Sequence, residues 1–561
     1  MTAQNIHDNK EVTNSWTKKR VKRKFVEIER EAAQRTCNSN GSSHLPPLPG
    51  CKGNDESLGT LFSHPYGALP YGNIFMTGSD AVRHYGLGNL KILNDDQIIS
   101  VFQFLDGRSL AKLVQTSRFN YVAGHHDELW RDLNLRRDGE SGIDFEYTWR
   151  DTYVKSESNC ECTVKHSPIQ MDGIYSDIFF RSWLCRSFEL RDEWLSVNNV
   201  AIEDVEQLNV ERFLADYEEK NIPLIIKGAT ASWKAVKKWD REYLIEQTKH
   251  TSFRATSGAA PLPAQFSMKS YFKYCDSAAE EAPLYLFDRT FSESCPQLLE
   301  DYVNDLKKTC PYFDDEAAHG HDLFSLLGKG KRPDHRWIII GPKRSGSSFH
   351  IDPNATHAWN APIRGRKRWI FYPPGCPPPG VFPSADGDDV IMPLSLGEWF
   401  LSYFEKHVQE RSNPDQSKRP LECTVEPGDI LFVPHGWWHC VLNLDDGIAL
   451  TQNYVSQSNL SDVLRFLDKK PQQISGCRDR SEAIQPDKIL RVFKDKLNEK
   501  LPHLVKEAED NACRGWMCEA WTDDIGKDTA PNTKKVKKSV LERAKIATDS
   551  PSCQGFSFSF M

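Results

Sequence analysis

The chain has 561 residues, 39% hydrophobic and 27% charged, with a formal net charge of −7. That length exceeds one core and predicts roughly three or four units. No run of about 18 apolar residues offers a membrane span, and the acidic balance argues against a whole-molecule nucleic-acid binder and direct DNA readout.

The N-terminus, MTAQNIHDNK, lacks the apolar stretch of a secretory signal. The fifteen Cys therefore read as reduced thiols rather than a disulfide frame. Cys160 and Cys162 make a C-x-C, with no neighbouring Cys or His pair to complete a zinc site. Residues 1–60 are expected to be a disordered basic segment. From Lys18 to Lys24 it carries six positive charges in seven residues, read either as a solvated helix face or as a nuclear-import signal. Given the chemistry below, import and a nuclear location are the expectation. Residues 37–53, rich in Asn, Ser, Gly and Pro, read as linker.

A helical block is predicted from Leu93 to Leu135. Ile98, Val101, Phe102 and Leu105 mark one apolar face at 3- and 4-residue spacing. Asp106-Gly107 breaks that helix, Leu110, Leu113 and Val114 begin a second, and Glu128-Leu129-Trp130 opens a third. The all-α module of residues 85–140 is too small for an enzyme site and has the size of a docking module; residues 141–204 form a connector. His125 and Asp127 make a His-x-Asp pair with no strand around it. With 17 His in the chain such a pair is expected by chance, so the tripeptide alone says little.

The pattern changes across residues 205–460. A helix at 210–220 precedes short buried strands at 222–228 and 283–288. From 337 to 455, β-rich runs alternate with Gly and Pro, as in a barrel or sandwich. Residues 401–420 read as a charged insertion, a helix giving way to a polar loop. Residues 461–530 turn helical again, chiefly over 489–509. The end, 531–561, with its Lys534–Lys538 charges, reads as a flexible tail.

The chemistry concentrates in residues 341–374, GPKRSGSSFHIDPNATHAWNAPIRGRKRWIFYPP. On a strand, His350 and Asp352 project to one face. A third ligand is His439, within EPGDILFVPHGWWHCVLN (426–443), if the two strands face each other across a barrel. Two His and one carboxylate leave the opposite metal positions open, the facial arrangement of non-haem Fe(II) oxygenases, although Zn or Mn would accept the same set. A core imidazole satisfied by a carbonyl is the competing reading of His439. Such an oxygenase needs two more electrons, usually from 2-oxoglutarate, whose far carboxylate wants a buried cation and hydroxyl donors. Lys367, after Gly365, is spaced from Asp352 like the return arm of a hairpin; alternatively it is a solvated strand residue beside Arg366 and Arg368. Asn360, Thr451 and Tyr285 could add amide and hydroxyl donors.

RSG-x-x-x-HIDP, AWNA, G-x-K-R-W and PGD-x-x-x-VP-x-GWWH-x-VLNL resemble the JmjC-domain oxygenases over residues 208–456. The branch is that of the arginine demethylase and lysyl hydroxylase related to the former "phosphatidylserine receptor". The resemblance implies an α+β multidomain protein built on a double-stranded β-helix of the cupin or jelly-roll type. It implies Fe(II) on His350, Asp352 and His439, with O2 and 2-oxoglutarate as co-reactants. Lys367 and Tyr285 would hold the distal carboxylate, with Thr451 and Asn360 lining the same pocket. Ser347 stands where members of that branch have Thr, keeping a hydroxyl and losing a methyl.

The helical block resembles an F-box at Leu93, Leu105-Asp106, Ser117-Arg118 and Glu128–Trp130, with Asn94 where that family usually has Pro. An F-box implies docking on a Skp-type adaptor of a cullin ubiquitin ligase. The whole layout resembles plant F-box/JmjC proteins assigned as histone H4 arginine demethylases. It implies histone tails or other basic proteins as substrates and removal of N-methyl groups from arginine. Lysyl hydroxylation, methyl-lysine demethylation and a ligase-adaptor role are the alternatives.

Overall fold

In residues 367–372, Lys367, Trp369 and Phe371 face one way and Arg368, Ile370 and Tyr372 the other. All six are buried, so the strand must lie between two packed layers. The computed structural model that shows those layers describes residues 64–77, 82–158, 166–257, 262–313, 321–385, 387–478 and 480–511. The Lys18–Lys24 cluster, the 37–53 linker, Cys160, Cys162 and the Lys534–Lys538 charges lie outside the described residues.

The first strands are β1 (Ala201–Asp204), β2 (Leu224–Lys227), β3 (Ser252–Thr256), β4 (Ala264–Ser267) and β5 (Tyr285–Asp288). β6 (Arg336–Gly341), β7 (Gly346–His350), β8 (His357–Arg364) and β9 (Lys367–Tyr372) follow. A small hairpin, β10 (Phe382–Pro383) with β11 (Val390–Ile391), precedes β12 (Leu421–Val425), β13 (Ile430–Val433), β14 (Trp438–Asn443) and β15 (Gly447–Tyr454).

Nine strands form one sheet in the order β1-β2-β13-β8-β15-β6-β5-β3-β4, and four form a second, β12-β9-β14-β7. Pairing is antiparallel in both sheets except for the parallel pair β1–β2. From β6 to β9, and again from β12 to β15, the chain steps from one sheet to the other at each strand. That is the winding of a double-stranded β-helix. Between the sheets, Ile225, Ala358, Leu431 and Val433 of the larger interdigitate with Trp369, Phe371, Cys423, Val425 and Val441 of the smaller.

The other face of the small sheet is covered by the helix Leu396–Glu410, whose Trp399, Phe400 and Phe404 pack on Phe349, Ile370, Tyr372 and Cys440. This cover explains why β9 and β14 read as continuous apolar runs instead of alternating ones. Arg368, on that covered face, is fully buried and pairs with Glu422 at 2.6 Å; Arg366 stays half exposed and pairs with Asp445.

The helical block, predicted as three helices, has four, Asp95–Phe102, Gly107–Leu113, Arg118–Gly124 and Asp127–Asp138; the third, capped by Ser117, was not predicted. Asn94 caps the first through a reciprocal pair of hydrogen bonds with Gln97, at 2.9 and 3.0 Å. Asp106 and Ser117 cap the next two. The buried face is Ile98, Ile99 and Phe102, while the predicted Val101 is exposed. The block shares one apolar core with the barrel. The chain after it runs along β4: Gln265 N donates to Gly139 O at 2.8 Å and Ile143 N to Gln265 O at 2.7 Å. At the other end, Leu460–Lys469, Pro486–Lys500 and Pro502–Asn511 pack around Leu323–Leu327.

Three further expectations change. Residues 210–220 are not one α-helix: an α-turn, Val210–Phe213, passes into a π-helix, Leu214–Glu218. β9 is no return arm to the Asp352 segment. Gly365, at φ +71°, turns the chain from β8 into the other sheet, where β9 pairs with β12 and β14. A Cβ at Gly365 would collide with the Asp446 carbonyl. Finally, the strand of His439 does not face that of His350 across the barrel. The two are hydrogen-bonded neighbours in the small sheet.

Candidate metal centre

β7 delivers His350 and β14 delivers His439, and the antiparallel register sets them directly opposite each other. Their ring centroids are 4.1 Å apart. Asp352, just past the end of β7, brings a carboxylate oxygen 4.0 Å from His350 Nε2. One ligand atom from each of the three lies within 4.8 Å of the others, and among the described residues no other three His, Cys, Asp or Glu side chains gather so closely. The control pair is elsewhere engaged: His125 stacks on His166 and bonds to the Tyr121 carbonyl at 2.7 Å, while Asp127 pairs with Arg186.

Second partners orient both imidazoles. His350 Nδ1 donates to the Ser348 carbonyl at 2.7 Å and His439 Nδ1 to the Trp437 carbonyl at 3.1 Å. With Nδ1 carrying the proton, Nε2 is in each ring the nitrogen able to ligate a metal. Burial pushes His350 down to about 3 and His439 down to about 4, so both rings are neutral, the ligating form. Burial raises Asp352 to about 6, opposed by the neighbouring His350 imidazole and a hydrogen bond with Asn453. A divalent cation would relieve that carboxyl, and two neutral imidazoles with one carboxylate are a donor set that fits Fe(II).

All eight residues predicted for the site line one cavity of about 550 Å³, part of it open to solvent: Ser347, His350, Asp352, Asn360, Lys367, His439, Thr451 and Tyr285. Ser347 enters through an irregularity. The pairing of β7 with β14 shifts between His439 and Val441, so Ser347, three residues before His350, comes opposite Val441. Strict alternation would turn it away; a bulge restores it.

Deeper in the cavity Lys367 is 1% exposed. Its ammonium donates to Tyr285 Oη at 2.9 Å and to Asn443 Oδ1 at 3.0 Å, both neutral acceptors. Among the described residues no carboxylate comes within ion-pair distance of it. A buried cation so placed calls for an anionic ligand. Asn360 Oδ1 is buried without a hydrogen-bond partner, and Thr451, in register with Asn360, donates its hydroxyl to the Trp359 carbonyl at 2.7 Å. Trp337 and Trp369 wall the space, Trp369 lying 5.7 Å from the His439 ring.

Asn443 and Asn453 went unread in the sequence. A signal was available for both: Asn443 is four residues beyond His439 on one strand, and Asn453 two beyond Thr451, spacings that keep a common face. Neither motif nor charge singled them out.

A model of the Cupin-like domain family matches residues 210–459. Over 461 residues the chain is 39% identical to the Arabidopsis thaliana protein named "Arginine-specific demethylase JMJ22", covering 80% of this chain and 84% of that one. It is 38% identical over 259 residues to the Caenorhabditis elegans "Bifunctional arginine demethylase and lysyl-hydroxylase psr-1", covering 46% of this chain and 61% of that one. A shorter match, 36% over 137 residues, links it to the Danio rerio "2-oxoglutarate and iron-dependent oxygenase JMJD4", covering 24% of this chain and 30% of that one. The chain belongs to the JmjC family of cupin-like oxygenases and is an Fe(II)- and 2-oxoglutarate-dependent enzyme.

Proposed function

We propose that this oxygenase is a nuclear protein demethylase that removes N-methyl groups from arginine in basic protein segments, histone H4 tails foremost. The observation that carries this reading is the extent of the likeness to an arginine-specific demethylase, which runs well beyond the barrel into the flanking helices. In this reading His350, Asp352 and His439 hold Fe(II), and Lys367 with Tyr285 holds the distal carboxylate of 2-oxoglutarate. Asn360, Thr451 and Ser347 supply the neutral polar wall. Residues 205–460 form the oxygenase domain.

Fe(II), when bound with 2-oxoglutarate and O2, supplies the oxidation: 2-oxoglutarate loses CO2 to become succinate and one substrate C–H bond becomes C–OH. The chain's residues decide which C–H that is. The neutral imidazoles keep their Nε2 atoms aimed at one point, because each Nδ1–H is committed to a carbonyl. Lys367 would hold one end of the cosubstrate, with Trp337 and Trp369 flanking it. A methyl group on nitrogen that is hydroxylated here becomes an N-hydroxymethyl group, which breaks down to formaldehyde and the demethylated nitrogen.

Lysyl hydroxylation uses the same centre with a carbon-bound hydrogen in the same place, and methyl-lysine demethylation differs only in the nitrogen presented. Purified protein with Fe(II), 2-oxoglutarate and methylated H4 peptides tests the proposal, with His350→Ala as the blank. Formaldehyde release with loss of a methyl mass supports arginine demethylation. A gain of one oxygen on lysine moves the enzyme to hydroxylation.

The helical module supports a second, compatible role. Tyr85, Ile92 and Phe104 of that module are exposed apolar side chains, of the kind an adaptor of the Skp type would cover. Co-purification of a Skp-type adaptor, lost on changing Ile92 and Phe104 to Asp, tests it.

A further inference from the structure

The role of Lys367 raises a question that its own contacts answer. An ammonium on four rotatable bonds, buried almost completely, must be aimed by something. Tyr285 supplies one acceptor. The other is Asn443 Oδ1, and Asn443 is itself held at its far end, where Nδ2 donates to Ser345 Oγ at 2.9 Å. Ser345 in turn donates to the Pro342 carbonyl at 2.5 Å. Asn443 has no exposed surface, and the register of β14 with β9 sets it opposite Lys367. A rigid relay thus runs from the Pro342 backbone to the ammonium.

The choice of an amide matters electrostatically. An Asp at this position could accept the same hydrogen bond, but would also neutralise the ammonium and leave nothing for an incoming anion. The amide orients the charge and leaves it unspent. We infer that Asn443 is a positioning residue that presents Lys367, oriented and uncompensated, to the distal carboxylate of the cosubstrate. This inference rests on the assignment of Lys367 to 2-oxoglutarate proposed above.

The test is equilibrium binding to the full chain loaded with Mn(II) in place of Fe(II), using 2-oxoglutarate and 2-oxobutyrate, which keeps the chelating end but lacks the distal carboxylate. Asn443→Asp is expected to weaken 2-oxoglutarate by about tenfold to a hundredfold, the factor carried by one contact to a charged group. It should leave 2-oxobutyrate and Mn(II) binding within about twofold, so selectivity between the two acids collapses. Asn443→Ala, which removes the aim and keeps the charge, should fall between wild type and Asn443→Asp.

Equal loss of both acids in Asn443→Asp would mean a merely structural residue and overturn the inference. So would wild-type selectivity in both variants. If Lys367→Met also binds 2-oxoglutarate like wild type, the assignment of Lys367 fails as well. If Lys367→Met abolishes the selectivity and the Asn443 variants keep it, only the positioning role fails.

Discussion

Replacing Lys367 by Met separates folding from cosubstrate binding. The ammonium is 1% exposed, its two contacts at 2.9 and 3.0 Å are neutral, and no carboxylate pairs with it among the described residues. The distal carboxylate of 2-oxoglutarate would therefore be its counter-ion. Losing one partner of a buried, hydrogen-bonded charge pair costs about 2–5 kcal/mol, or roughly thirtyfold to several thousandfold in affinity. Folding responds differently. Met fills the space of the lysine stem, and the unpaired Tyr285 hydroxyl and Asn443 carbonyl cost about 1–3 kcal/mol each, offset by removal of a charge that burial penalises. The ligand-free melting temperature of the variant should thus stay within a few degrees of wild type. At a concentration a hundred times its wild-type dissociation constant, 2-oxoglutarate stabilises the wild-type protein by about 2.7 kcal/mol, and at that same concentration it should stabilise Lys367→Met by less than about 1 kcal/mol. Thermal unfolding followed with and without 2-oxoglutarate, with Mn(II) present throughout, reads both quantities. A variant whose 2-oxoglutarate affinity stays within about threefold of wild type would refute the reasoning, since so small a change is under 1 kcal/mol.

His439→Ala and Asp352→Ala should each abolish the rise in melting temperature that Mn(II) gives the wild-type protein, and chelation should stop turnover until Fe(II) is restored. Burial raises Glu218 from 4.5 to about 7, against hydrogen bonds from Tyr454, Ser456 and Ser458. Between those values the folded chain keeps a proton that the unfolded chain has released, so this group's contribution is full below pH 4.5 and is lost as pH rises through 7, by roughly 3 kcal/mol. Glu218→Gln should remove that loss and unfold at higher denaturant than wild type at pH 8, but not at pH 4.5. A chain begun at residue 205 loses the segment bonded to β4 and the Phe145 and Trp149 rings packed on Tyr274. It should aggregate on size-exclusion chromatography where a chain begun at residue 64 elutes as a soluble species.

The clustering of His350, Asp352 and His439 was legible in the sequence because its strongest part is local. Two residues apart on a strand is a statement about one face, needing no knowledge of neighbours, and His350 with Asp352 required only that. His439 was found by type and context, but its position was misread: 89 residues separate it from His350, and strand pairing at that distance follows from the winding between sheets. The hairpin expected for Lys367 failed for the same reason, since a tight turn ordinarily joins neighbours in one sheet and here carries the chain across to the other. The helical block was readable from its caps and breaks, and Asn94 proved a sound start to its helix. Its union with the barrel core left no local mark, because buried aromatic residues such as Trp149 look alike whichever partner they meet.

The strand β14 shows why the unread residues matter as much as the read ones. His439 begins its inner face and Asn443 ends it, four residues or about 13 Å of backbone apart. One strand therefore carries the proposed metal ligand His439 at one end and Asn443, bonded to the Lys367 ammonium, at the other, with Val441 between them lining the same cavity. Its register against β9 fixes Lys367 opposite Asn443, and its register against β7 fixes His350 opposite His439. A slip of one residue would turn both ends outward at once. The irregularity in the β7 pairing falls between the two ends, after the histidines are matched, and brings Ser347 into the cavity without disturbing them. The proposed metal site and the proposed anion site are thus not two features that happen to share a barrel. They are the two ends of one strand, and the span between them suits a short dicarboxylate that chelates at one end and pairs its charge at the other.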